Sequence, residues 1–329
     1  NTAIAKIPEI KMNESKKNRL IAEARTLRAL YYFNLVRFFG DVPLILDLKT
    51  VEDSKGPRDS KELIYDQIIE DLTFAEEHLP LRSEYSASDE GRINKGAAKI
   101  LFGKVYLTKG DFQKAKDKLA EVVEHESEYG FGLHKDYHAN WLRDTEAGIE
   151  AVLYIEYKEP PFQHNGEMAL AGPKYSIPGS LGISALNEAD IPTQELYDQF
   201  DNRDLRKKTN FKTEFAHLKT GEILKSSIPL SGKFWVEGLE TGDRCDVNMH
   251  IIRYADAILM YAEALNEVGK STKALAMLNR IRERAFGDDS GNFKPMSKDE
   301  FRTAILNERR LEFPHEGHRW FDLVRTGTF

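Results

Sequence analysis

Two stretches of this chain place small and large apolar residues at the same intervals, and no other feature restricts the fold as much. Phe102-Gly103, Tyr106, Gly110, Ala115 and Leu119 in the first are matched by Tyr261-Ala262, Leu265, Gly269, Ala274 and Leu278 in the second. Residues three and four apart share one helix face, so each stretch reads as two helices broken at its glycine. Gly110 and Gly269 suit that break because a left-handed residue commonly ends a helix. The small residues let two helix axes approach, and the larger ones fill the groove between them. The spacing predicts similar helical hairpins over 91–126 and 251–286.

This register is that of a tetratricopeptide hairpin. A further helix is expected over 15–39, where Leu20, Ala24, Leu27, Tyr31 and Leu35 recur before Gly40-Asp41 and Pro43 stop it. Asp59 and Ser60 offer an N-cap, with Glu62 in the first turn, for a helix through Leu79. Its apolar set is Leu63, Ile64, Ile68, Leu72, Ala75 and Leu79, and Pro80 closes it. From about 127 to 245 the texture changes. Ala151–Tyr157 reads as a short strand. Pro160, Pro161, Gly166, Gly172, Pro173, Pro178, Gly179 and Gly182 then punctuate an irregular stretch, followed by a helix near 192–201. The expected fold is mainly α: a tetratricopeptide-like scaffold with a large irregular, loop-rich insertion. Residues 1–126 and 246–329 form the two halves of one discontinuous scaffold, and 127–245 is the ligand-binding side.

Composition narrows the function. With 47 Lys and Arg against 54 Asp and Glu, the net charge is −7, which argues against nucleic acid as the main partner. Cys245 is the only cysteine, which excludes a disulfide framework, a cysteine zinc site and a CxxC pair. No apolar run approaches the roughly 18 residues of a membrane span. His315-Glu316-Gly317-His318 has its histidines three apart after Pro314, whereas a zinc helix needs them four apart. Gly269-Lys270-Ser271 has Ala264 where a phosphate loop needs glycine, and it follows a helix. Asp288, Asp289, Ser290 and Asn292 lack the spaced ligands of a calcium loop. Neither Ser180 nor Cys245 sits in a nucleophile motif. The expectation is a protein that is not an enzyme and needs no cofactor or metal. Two charged clusters remain. Arg25, Arg28, Arg37 and Asp41 form one; Glu308, Arg309, Arg310, Glu312, Glu316, Arg319, Asp322 and Arg325 form the other. Opposite charges mixed with apolar residues point to buried ion networks clamping helices, with ligand binding as the alternative.

Four segments carry a family resemblance. EARTLRALYYFNLVRFFGDVPLI (Glu23–Ile45) resembles the first hallmark of SusD/RagB-like proteins, the nutrient-binding outer-membrane lipoproteins of Bacteroidetes. GRINKGAAKILFGKVYLTKGDFQKA (Gly91–Ala115) resembles their first well-marked repeat. IIRYADAILMYAEALNEVG (Ile251–Gly269) and ILNERRLEFPHEGHRWFDLVRTG (Ile305–Gly327) resemble their later hallmarks, in the expected order. The resemblance implies non-enzymatic capture of a glycan at the cell surface and delivery to a TonB-dependent, SusC-like transporter of the outer membrane. It implies a lipid anchor and further sequence beyond both ends of the chain. Peptide capture by the same architecture is the first alternative, and an intracellular helical scaffold for protein partners is the second. The hallmarks hold the scaffold together, so no binding residue carries over from them.

Candidate ligand contacts therefore come from chemistry. A sugar face packs its C–H groups on aromatic rings while polar side chains bond its hydroxyls. Trp141 with Tyr137 (KDYHANWLRD) and Trp235 beside Phe234 (KFWVEG) lie in polar, loop-rich sequence, and they are the candidates. The alternative is that these rings plug the insertion against the helices. Trp320, inside a scaffold hallmark, is expected to be core.

Overall fold

The computed structural model describes every residue except 48, 49, 51, 53, 54 and 159–164, together with the side chain at position 243. The chain divides into two compact units, Asn1–Phe131 and Gly132–Phe329.

The first unit is built from two helix pairs. Helix α1 (Glu14–Phe39) starts where the Asn13 side chain accepts hydrogen bonds from the Ser15 and Lys16 amides, and stops at Gly40, whose φ is +68°. Helix α2 (Lys61–His78) is capped by Ser60. Ile21, Ala22, Ala29, Phe33 and Val36 of α1 and Ile64, Ile68, Leu72 and Ala75 of α2 are buried. Arg28 ties the two helices by donating from Nη2 and Nε to the two Asp71 carboxylate oxygens, at 2.7 and 2.8 Å. The buried set on α1 differs from the expected one. Leu27, Tyr31 and Leu35 face solvent. Residues 27–39 are apolar on more than one face, so two overlapping stripes were readable. The stripe with Ala22 and Ala29 is the one that lets α2 come close.

Helices α3 (Lys95–Lys109) and α4 (Phe112–Val123) form the second pair, capped by Asn94 and Asp111. Gly110 joins them in the left-handed conformation, φ +77°. Gly103 faces Leu119 so closely that a Cβ there would sit 2.5 Å from Leu119 Cγ.

The second unit begins with a short 3-10 turn, Tyr137–Trp141. Among the described residues four strands follow: β1 (Ala151–Ile155), β2 (Phe211–Ala216), β3 (Ile223–Ser231) and β4 (Met249–Arg253). β1 pairs antiparallel with β4, with Ala151 opposite Arg253 and Tyr154 opposite His250. β2 and β3 form a separate antiparallel hairpin. Helices α5 (Tyr254–Glu267) and α6 (Ser271–Phe286) make the second repeat hairpin, with Gly269 left-handed at +77°. Helix α7 (Lys298–Glu312) opens with a Ser297–Glu300 capping box, and α8 (Arg319–Thr326) follows the turn after Pro314.

The fold is thus mainly α with a loop-rich insertion, and both repeat hairpins lie where the small–large register put them. The first strand ends at Ile155, two residues short of the expectation, and the short helix of the insertion spans Gln194–Asp198. Pro160 and Pro161 lie outside the described residues. The irregular stretch after Gly172 has its own organiser: Glu188 Oε2 accepts the amides of Lys174, Tyr175 and Ser176 at 2.7, 2.7 and 3.0 Å. One carboxylate thereby satisfies three loop donors that no helix or sheet serves.

Replacing Gly103 with leucine should overpack the α3–α4 crossing and cost about 1–3 kcal/mol in chemical denaturation. Wild-type stability in Gly103→Leu would contradict this packing.

Candidate functional site

Five carboxylates and five cations of the second unit meet in its interior. Glu312, at the last turn of α7, lies at the centre. Its Oε1 accepts from Arg253 at 2.9 Å and Arg284 at 2.6 Å, and its Oε2 from Arg206 at 2.9 Å. Glu150 binds Arg253 at 2.5 Å and Arg284 at 3.2 Å. Asp204 and Glu308 hold Arg206, each at 2.7 Å, and Arg282 bonds Glu308 at 2.7 Å. Glu316 holds Arg253 at 2.7 Å and Lys233 at 2.5 Å. The charges balance, as burial requires. Burial alone would raise the Glu312 carboxyl pKa. The charges of Arg284, Arg253 and Arg206 outweigh it and hold the group well below the usual carboxylate range. Glu316 is held down in the same way, by Arg253 and Lys233. Burial pulls the Lys233 ammonium down to about 8 despite Glu316.

A second, smaller clamp joins three helices. Arg309 of α7 binds Asp256 of α5 at 2.7 Å and Asp322 of α8 at 2.8 Å, and Arg325 bonds both Glu263 and Asp322. The charged C-terminal cluster is therefore mostly an interior framework. Arg310 pairs instead with exposed Glu195, and Arg319 stands apart from both clamps.

Tyr137 and Trp141 belong to this interior. Each is only 3 % exposed, so the structure does not present either ring as a ligand surface. Their faces cover the buried cations. Lys233 Nζ lies 4.6 Å from the Trp141 ring centre, and the Arg284 guanidinium lies 4.9 Å from that of Tyr137. The Tyr137 hydroxyl donates to the Glu312 carbonyl at 2.6 Å. Such cation–π contacts strengthen when desolvated. Trp235 is only partly buried, its ring 4.7 Å from that of Phe215. Trp320, expected in the core, is 53 % exposed on α8. Cys245 is buried, which pushes its thiol up to about 11, so it is not a reactive thiolate. His315 contacts Asp190 at 3.2 Å. Among the described residues, no three His, Cys, Asp or Glu side chains are grouped to hold a metal ion. No described helix is long and apolar enough to cross a membrane.

Grooves open on this unit among the described residues, and two matter here. One, of about 630 Å³, runs beside the β2–β3 hairpin and is lined by Tyr197, Lys207, Lys208, Lys212, Thr213 and Glu237 among others. The other, of about 470 Å³, lies between Asp190–Leu196 and the segment from Arg309 to Asp322. The sequence reading missed both. Thr220-Gly221 was a usable turn signal for the hairpin that walls the first, with Gly221 at φ +69°.

Comparison with known proteins agrees with this architecture. Sequence models described as the SusD family and as "starch-binding associating with outer membrane" match residues 230–329 and 1–107. "SusD-like protein P2" of Formosa agariphila is 31 % identical, over 99 % of this chain and 68 % of that protein. The chain belongs to the SusD family. A solved structure titled "Laminarin binding SusD-like protein" shares this family's fold with a TM-score of 0.83 and 30 % identity, over 99 % of this chain and 75 % of the other. Surface glycan-binding protein A from Bacteroides thetaiotaomicron, solved in complex with laminarihexaose, matches with a TM-score of 0.80 at 20 % identity, over 98 % and 72 % of the two chains. At that identity the second likeness concerns the fold alone. In this SusD-family chain the last hallmark, Ile305–Gly327, supplies Glu308, Glu312 and Glu316 to the interior network.

Removing Glu312 as alanine leaves three buried guanidinium groups short of a counter-charge and should cost about 3–5 kcal/mol. The pH dependence has a fixed sign. Glu312 and Glu316 have folded pKa values below their ordinary 4.5, so the stability they carry is complete above that value and is lost as pH falls towards their folded pKa values. Denaturant midpoints followed by circular dichroism should drop as the pH is lowered from 4.5. A flat profile there would show that the two carboxylates carry no such linkage.

Proposed function

We propose that this protein captures a glycan at the outer surface of the outer membrane and hands it, chemically unaltered, to a TonB-dependent, SusC-like transporter. The observation that carries this is the 30 % identity and 0.83 TM-score shared with a laminarin-binding SusD-like protein over 99 % of the chain. The groove beside the β2–β3 hairpin has suitable chemistry. Tyr197 offers a ring, while Lys207, Lys212, Thr213 and Glu237 offer donors and acceptors for sugar hydroxyls. Trp235 is the one of the three aromatic candidates that is only partly buried, and Lys212 Nζ lies 5.9 Å from its ring. We keep Trp235 as a ligand contact and assign Tyr137 and Trp141 the role of holding Lys233, Arg253 and Arg284 in place. Among the described residues, we identify no nucleophile or acid–base pair arranged for turnover.

The outer-membrane association suggested by the family has a physical counterpart in the first unit. Leu27, Tyr31, Leu35, Phe38 and Phe39 form an exposed apolar stripe along α1, with Tyr31 63 % and Phe38 57 % exposed. A monomer gains nothing by keeping so many large apolar groups in water. The sequence model described as associating with the outer membrane covers these residues. We assign the stripe to contact with the transporter.

Calorimetry against laminarihexaose, other oligosaccharides and peptides tests the capture reading. A glycan should bind and be recovered intact. At about 25 cal/mol per Å², loss of one stacking ring removes roughly 1–2 kcal/mol, so Trp235→Ala should weaken binding about tenfold. Binding of peptides and of no glycan would replace this reading. For the stripe, Tyr31→Glu combined with Phe38→Glu should abolish co-purification with the transporter while leaving glycan affinity unchanged. Undiminished co-purification would contradict the assignment.

A further inference from the structure

Among the described residues, the second groove holds one arginine, Arg319, that makes no direct ion pair. Other charged side chains on its walls are directly paired. Arg309 bonds Asp256 and Asp322, Arg310 bonds Glu195 at 2.6 and 3.1 Å, and His315 meets Asp190 at 3.2 Å. Arg319, the first residue of α8, makes no ion pair or hydrogen bond among the described residues. Burial and then the neighbouring Arg310 lower its pKa, against the opposing pull of Asp322 and Glu195. No side chain caps α8 at this end. The next residue is Trp320, with an indole 53 % exposed and braced edge-on by Phe329 at 5.5 Å between ring centres. On the same wall His315 holds φ at +60°, in the left-handed region that histidine enters more readily than most residues. Asp190 is the contact that meets it there.

We propose that this groove binds an anionic sugar, with Arg319 pairing the sugar-borne carboxylate or sulfate ester and Trp320 stacking on the sugar ring. The ring in this proposal rests on the glycan-capture reading, whereas the charge follows from the groove itself. A guanidinium offers two parallel N–H donors that match the two oxygens of such an anion. Neutral hydroxyls can accept from Arg319 but bring no direct counter-charge to it. The adjacent indole supplies the apolar face that a sugar's C–H groups need, and it lies on the same helical turn as the guanidinium.

Three probes separate the possibilities in calorimetry: trigalacturonate for the carboxylate, a sulfated carrageenan oligosaccharide for the sulfate ester, and neutral laminarihexaose. At least one anionic probe should bind, with affinity that falls as salt rises. Arg319→Gln should weaken that binding tenfold or more, and Arg319→Lys, which keeps the charge and loses the fork, should fall between. The thermal midpoint should move little in either variant, since Arg319 makes no direct ion pair or hydrogen bond among the described residues. Trp320→Ala should weaken the same probe, and binding should shift the Trp320 fluorescence to shorter wavelength. Anion binding that survives Arg319→Gln overturns the proposal. Binding of laminarihexaose with neither anionic probe bound also overturns it and leaves glycan capture standing. Binding of no saccharide at all removes both.

Discussion

The Glu312 carboxylate is the point on which the second unit depends. Three guanidinium groups converge on it from three distant places: Arg206 in the irregular region, Arg253 at the end of β4, and Arg284 on α6. None of the four groups is tolerable in the interior alone, because a buried charge without a partner costs several kcal/mol. Together with Glu150, Asp204, Glu308 and Glu316, and with Arg282 and Lys233, they are matched. The geometry that satisfies them fixes where the irregular chain returns to the helices. Apolar packing is more forgiving, since hydrophobic side chains of similar volume can often be exchanged. The network thus gives a region with little regular secondary structure a defined attachment.

That arrangement explains which parts of the molecule were legible from its residues. Helical hairpins follow from periodicity when small residues mark the contact, as Gly103 facing Leu119 shows. On α1 periodicity misled, because Leu27, Tyr31 and Leu35 form as regular a stripe as the buried one. Spacing alone cannot say which of two apolar faces has a partner within the chain. The β2–β3 hairpin was missed because its alternation is weak, with Phe211 and Phe215 buried and the intervening Lys212, Thr213 and Glu214 more exposed.

The aromatic residues carry a more specific lesson. Polar neighbours around Trp141 suggested solvent, yet the polarity there belongs to an interior where Lys233 and Arg253 lie over its ring. Membership of a scaffold hallmark suggested core for Trp320, yet its indole is 53 % exposed. In neither case did the sequence context report accessibility. What decides accessibility is the long-range pairing of charges, and pairs such as Glu150 with Arg284 leave no trace in local sequence.

Hydrogen exchange on Glu312→Gln tests most directly whether one carboxylate anchors the irregular region. Amide protection reports the opening free energy of each segment separately. If the account is right, the substitution lowers protection together around Glu150, Arg206–Asn210 and Arg253, while α3 and α4 of the first unit keep theirs. A loss confined to the end of α7, with those three segments as protected as in the wild type, would contradict it.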